Sequence, residues 1–171
     1  MTTKILGIDW GTKKVGVAIS DDTKTIATPL PTLRVESLKG VLYKLRQIID
    51  KENVSTVVVG YPKNMDGTDS DSSQKAKKFG EKLLSPYLKR NKKPRIVFVD
   101  ETLSSWEAKQ ILRELGEKVE KENGRVDQIV AASLLQSYLD KRKIILAKIA
   151  KRKAKRERYC RKKIENTNEK V

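Results

Sequence analysis

No histidine occurs among the 171 residues, and there is a single cysteine, Cys160. The first absence excludes histidine-based zinc sites, histidine general bases and Ser-His-Asp triads. The second excludes an internal disulfide framework. Any catalysis must therefore run on carboxylates, lysines or hydroxyls. Aromatic residues make up only 5% of the chain, which argues against a protein that stacks single-stranded bases on exposed rings. Trp10 and Trp106 are the exceptions; Trp10 reads as core or turn packing beside Asp9, and Trp106 as packing in the first turn of a helix. Also missing are an apolar run long enough to span a bilayer and the basic-then-apolar start of a secretory signal. A soluble cytoplasmic protein with no membrane association is expected.

What is abundant is positive charge, and it is unevenly placed. The chain carries 38 Lys and Arg against 22 Asp and Glu, a net of +16. From Lys141 onward there are 14 Lys and Arg against 3 acidic residues, a net of +11, so the C-terminal segment supplies most of the excess. A length of 171 residues suits one ordinary domain with a real core plus an appendage. The expected division is a domain over 1–140 and a basic extension, helical or disordered, over 141–171. Such an extension favours polyanions, because each cation meeting a phosphate releases condensed counterions without regard to sequence.

Apolar periodicity assigns the elements. Lys4–Asp9 and Val15–Ser20 are β-branched-rich segments joined by "WGTKK", which predicts an antiparallel hairpin turning at Gly11. A third strand is expected at Lys24–Ile26, resuming after the interruption at Pro29 and Pro31. Leu38, Val41, Leu42, Leu45, Ile48 and Ile49 recur at helical steps and predict a helix over 36–52. "VSTVVVG" predicts a strand covered on both faces, 72–88 a second helix, and "PRIVFVD" another buried strand. "SSWEAKQILREL" opens on a capping-box pattern at Ser104 and Glu107 and stops at Gly116. A last core helix over 126–139 is expected to run on into the basic extension. Hairpin strands followed by strand–helix alternation imply an α/β domain with a mixed sheet, whose ligands collect at the carboxyl ends of the strands.

Three acids fall at such positions: Asp9 late in the first strand, Glu101 just after "IVFVD", and Asp127 at the start of the final helix. Each also has a purely structural reading. Asp127 reads equally as a helix N-cap, Asp9 as a turn-forming Asx residue and Glu101 as an acid favoured by a helix dipole, with Asp100 able to replace it. Brought together, however, three carboxylates would repel unless a cation holds them or a proton is taken up. All-oxygen donors without histidine or thiolate point to Mg²⁺ or Mn²⁺. Two such ions can clamp the attacking and leaving oxygens of an in-line phosphoryl displacement, a chemistry that needs no histidine.

The blocks "GIDWGTKKVGVAISD", "VVVGYPKNMDG", "VDETLSSWEA" and "VDQIVAASLLQSYL", in this order, resemble the YqgF family, also called RuvX, across roughly Lys4–Asp140. The resemblance implies a RuvC-like, ribonuclease-H-like fold with a mixed five-stranded sheet flanked by helices. It also implies a metal-dependent nuclease that processes the 5′ end of pre-16S rRNA. The family's acids fall on Asp9, Glu101 and Asp127, as catalytic residues and ligands of Mg²⁺ or Mn²⁺. Thr12, Lys13 and Lys14 in the hairpin turn, with Lys63 and Asn64 in a loop over the cleft that also holds Asp66 and Gly67, are the expected nucleic-acid contacts. The family often has Arg where Lys14 and Thr102 stand; Lys14 keeps the charge but not the bidentate grip. The extension after Asp140 is atypical of the family. Expected partners are pre-16S rRNA or branched DNA, and the ribosome, for a monomer or weak dimer. Two competing readings are a junction-cutting DNA resolvase of the same fold and a noncatalytic RNA- or ribosome-binding module. A sugar-kinase-like ATPase would need a second domain and a further glycine-rich site, for which the chain has no room.

Overall fold

A computed structural model describes residues 2–62, 68–89, 93–100 and 125–168, with the side chains of the last segment described from 126 to 158. The chain divides into two compact units, Met1–Leu139 and Asp140–Val171.

The first unit is built on a five-stranded sheet of β1 (Lys4–Trp10), β2 (Lys14–Ser20), β3 (Ala27–Arg34), β4 (Val54–Gly60) and β5 (Arg95–Val99). Their order across the sheet is β3-β2-β1-β4-β5. The β1–β2 and β2–β3 pairs are antiparallel, whereas β4 runs parallel to both β1 and β5. This is the mixed five-stranded α/β sheet that the resemblance implies.

Strand alternation sorts the core into two layers. Leu6 and Ile8 of β1, Val15, Val17 and Ile19 of β2, and Val57 and Val59 of β4 face one side. There they pack against α1 (Leu38–Lys51) and α2 (Asp71–Leu84), which bury Val41, Leu42, Leu45 and Ile49, and Ala76, Phe79, Leu83 and Leu84. Ile5, Ala18 and Val58 face the other side and pack against Ala131, Leu134, Leu135 and Leu139 of α3 (Arg125–Asn168). Val58 faces the opposite side from its neighbours Val57 and Val59, so β4 is covered on both faces, which is why "VSTVVVG" is continuously apolar.

The helices start where the side chains can cap them. Ser37 accepts from the amide of Gly40 at 3.1 Å, and Ser70 from that of Ser73 at 3.0 Å; each satisfies a donor that the first turn cannot. A cap of this kind contributes about 1 kcal/mol.

Two expectations need correction. The third strand does not occupy Lys24–Ile26; it starts at Ala27 and runs straight through Pro29 and Pro31 to Arg34. Residues 21–26 instead wrap around Asp21, whose carboxylate accepts from the amides of Thr23, Thr25 and Ile26. The prolines are tolerated because β3 is an edge strand, where a missing N–H can face outward. The register also slips beside Pro31: Leu30 pairs with Val17 and Leu33 with Val15, placing an extra residue in β3. The second helix ends at Leu84 rather than 88. A 3-10 turn, Ser85–Tyr87, follows it, because Pro86 cannot donate to a continuing α-helical ladder. The predicted helix from Ser104 to Gly116, with Trp106, lies outside the described residues.

α3 realises the helix expected to continue into the basic extension. Within the first unit it is clipped to the sheet by Gln136, which accepts from Ala27 N and donates to Thr25 O, each at 2.9 Å. Within the second unit its residues Lys141–Arg158 are almost all exposed. Among the described residues no helix is long and apolar enough to cross a membrane.

Candidate functional site

β1, β4 and β5 are parallel, so their carboxyl ends share one edge of the sheet. Gly60 pairs with Val99 there, and the amide of Tyr61 continues the ladder to Val99 O at 2.8 Å. Asp9 sits at this end of β1, partly exposed, opposite Gly16 of β2. By alternation it shares a face with Ile5 and Gly7, the face on which α3 lies. The next residue, Trp10, faces the other layer and stacks on Phe79 with ring centroids 4.0 Å apart. Trp10 is thus core packing, and the change of face between residues 9 and 10 points the carboxylate toward α3 instead.

Asp127 arrives from the far end of the sequence. It lies in the first turn of α3, directly over Gly16. A Cβ added to Gly16 would be 3.0 Å from the Asp127 carbonyl carbon and 3.2 Å from the Ala131 Cβ, and would overlap the Asp127 oxygen. Farther along, a Cβ on Gly7 would come within 2.8 Å of the Leu135 Cβ. α3 therefore seats on two bare patches of strand, and Gly16 is the shared neighbour of both acids. Asp9 meets it across the ladder and Asp127 from above. Sequence reasoning missed this role for Gly16. The signal was a lone glycine inside the otherwise β-branched strand "KVGVAIS", a pattern that marks close approach of another backbone.

The hairpin turn is tight: Gly11 N donates to Lys14 O at 3.1 Å, and Lys13 O accepts from Val35 N at 2.9 Å. Thr12 and Lys13 are exposed at its tip, while Lys14 is half-buried. Lys14 is two residues before Gly16, so alternation puts it on the same face as Asp9 and Asp127. Asp100 follows β5 and is exposed; Glu101, Lys63, Asn64, Asp66, Gly67 and Thr102 lie outside the described residues. The flanks of the 63–67 segment are tied together. Ser70 Oγ donates to Pro62 O at 2.6 Å, and Asp69 beside the Tyr61 hydroxyl raises that phenol above its ordinary value, burial adding to the effect.

Among the described residues no group of three or more His, Cys, Asp or Glu forms a metal cluster. The two acids that are described have their backbones beside Gly16, and carboxylate is the donor chemistry that fits a hard divalent cation.

A family model described as "RuvX: Holliday junction resolvase" matches residues 3–141. The chain belongs to the RuvX family. A RuvX relative from Caldanaerobacter subterraneus subsp. tengcongensis, named "Putative pre-16S rRNA nuclease", is 38% identical over 82% of this chain and 98% of its own length. One of the same name from Geobacillus kaustophilus is 37% identical over 82% of this chain and 99% of its own length. Among solved structures, a Fowlpox virus resolvase with its substrate Holliday junction DNA aligns with a TM-score of 0.49 and 14% identity, covering 81% of this chain and 98% of that one. RuvX membership thus spans the first unit, and the residues after 141 lie beyond the matched length.

Proposed function

We propose that this chain is a divalent-metal-dependent nuclease that hydrolyses RNA phosphodiesters in the cytoplasm, processing the 5′ end of pre-16S rRNA. The observation that supports the reading is that the backbones of Asp9 and Asp127, 118 positions apart in sequence, both adjoin Gly16 at the carboxyl edge of the sheet. Family membership and the relatives' names support the choice of substrate. Residues 1–140 carry the catalytic work.

Asp9, Glu101 and Asp127 are the acids that would hold Mg²⁺ or Mn²⁺. When bound, the cation supplies Lewis-acid polarisation of the phosphodiester and eases deprotonation of the attacking water. The chain's own part is positional and electrostatic. Asp9 is fixed by the β1–β2 ladder and Asp127 by the seat of α3, so the backbones that carry the two carboxylates are in place before substrate arrives. Lys14, on the same face, offers a positive charge to a phosphate oxygen. Thr12 and Lys13 extend the contact from the exposed turn, and Lys63 and Asn64 add contacts from the loop.

The test is cleavage of a labelled 16S rRNA precursor and a four-way DNA junction in parallel, with Mg²⁺ or Mn²⁺. Precursor cutting by the native chain, abolished in Asp9→Asn with RNA binding retained, is the expected result. Junction cutting in preference to the precursor would replace the RNA reading with the resolvase activity in the family's description. Full activity in Asp9→Asn would overturn the assignment of the site.

A further inference from the structure

The second unit, Asp140–Val171, is not used by the site. The family match stops at residue 141 and the Caldanaerobacter relative is matched over 98% of its own length, so this segment is an addition to the shared domain. Its most concentrated feature is the run Lys151–Arg158 on α3. Six of these eight residues are cations, Lys151, Arg152, Lys153, Lys155, Arg156 and Arg158, and all six are exposed. At about 100° per residue they cover about 220° of the helix circumference, leaving the remainder to Ala154 and Glu157.

Two properties of this run select its partner. The first is linear charge density. Eight helical residues span about 12 Å, so the run carries about one positive charge per 2 Å. Double-stranded DNA presents about one phosphate per 1.7 Å of axis, twice the density of either strand alone, and the shorter rise of an A-form RNA duplex packs its phosphates at least as densely. The second is angular spread. A helix that lies on a lipid surface needs one apolar face. The exposed Ile144, Ile145, Leu146 and Ile149 stop before the run begins, and no apolar stripe continues beside the cations. Charge spread over more than half the circumference lets a helix lying across the shallow minor groove of an A-form duplex reach the phosphates on both of its sides.

From these properties we infer that Lys151–Arg158 is a sequence-independent arm that grips duplex segments of RNA, adding affinity that the catalytic unit does not supply. It rests on the nuclease reading only for the choice of RNA. Binding alone tests it, so loss of the arm and absence of cleavage are separable results.

The experiment is fluorescence anisotropy of the full chain in metal-free buffer with EDTA, where nothing is cut. The probes are a labelled RNA duplex of about 20 base pairs, its single strand, and phosphatidylserine vesicles, titrated from about 50 to 200 mM salt. A variant with all six cations replaced by Gln keeps helix propensity, and far-UV circular dichroism reports whether the helix survives. For the duplex, the slope of log affinity against log salt should become shallower by about 3 to 5, given about 0.9 per phosphate contact. The single strand should lose less. A variant carrying only Lys151→Gln, Lys153→Gln and Lys155→Gln should lose about half as much, which keeps the inference testable if the six-fold variant loses helix. A slope changed by less than about one, equal losses on duplex and single strand, or native binding to vesicles in preference to the duplex would each overturn it.

Discussion

Replacing Gly16 by Ala is the sharpest test of how the site is assembled. The added methyl would overlap the Asp127 carbonyl oxygen and stand 3.0 Å from its carbon and 3.2 Å from the Ala131 Cβ, where unstrained carbon pairs sit about 3.5–4.0 Å apart. β2 is paired on both edges, so it cannot yield readily. The first turn of α3 must rise instead, by about 1 Å or more, because the overlapped oxygen is backbone. Overpacking of this size costs about 1–3 kcal/mol, a Tm loss of about 3–10 °C for a chain this long. Because the displaced turn carries Asp127, turnover should fall more than stability implies, by about 10²-fold for a displacement near 1 Å. Gly7→Ala is the matched control. Its methyl meets Leu135, eight residues farther along α3, at 2.8 Å, and should destabilise comparably with a smaller loss of turnover. Differential scanning fluorimetry and precursor cleavage at saturating Mg²⁺ read the two effects separately. Native turnover and Tm in Gly16→Ala, or equal turnover losses in both variants, would refute the proposed seat of Asp127.

Other consequences concern the core and the loop before β3. Leu135 is fully buried against the sheet, so Leu135→Ala should cost about 2–5 kcal/mol. Its chemical-denaturation midpoint should fall, and a native midpoint would show that α3 does not close this layer. Asp21 is held well below the usual carboxylate range, chiefly by the Ile26 amide, then by the Thr23 hydroxyl and the remaining turn donors. A depressed folded-state pKa contributes stability above the ordinary value of about 4 and loses it as pH falls below that value. The Tm gap between the native chain and Asp21→Asn should therefore stay constant from about pH 8 to 5 and narrow below about pH 4. A gap unchanged down to about pH 3 would mean that the ionised carboxylate does not hold the loop.

Periodicity reported most of the architecture because burial writes itself into the residue pattern. The α1 stripe from Val41 to Ile49 and the unbroken apolar run of β4 reflect one-sided and two-sided covering respectively. Reading failed where context overrode local preference. Pro29 and Pro31 break a central strand but not an edge strand, and only the sheet order reveals that β3 is an edge. The apolar spacing through Tyr87 concealed the change to a tighter turn that Pro86 imposes after α2.

The sequence by itself determined the chemistry available to this protein. It leaves carboxylates, lysines and hydroxyls in place of histidine or thiol clusters, and it carries four ordered blocks typical of RuvX and a strongly basic C-terminal segment. Those properties are set by residue type and order alone. Tertiary structure decided which backbones come together and which face of the sheet each residue takes. Asp9 and Trp10 are neighbours in sequence, but the strand pleat sends them to opposite layers, one toward α3 and the other onto Phe79. The first turn of α3, with Asp127, lies against the strand that pairs with Asp9 because Gly16 leaves room for it to settle on β2. The lone glycine in "KVGVAIS" marks that some backbone comes close, but which helix fills the space depends on backbone placement far away in sequence.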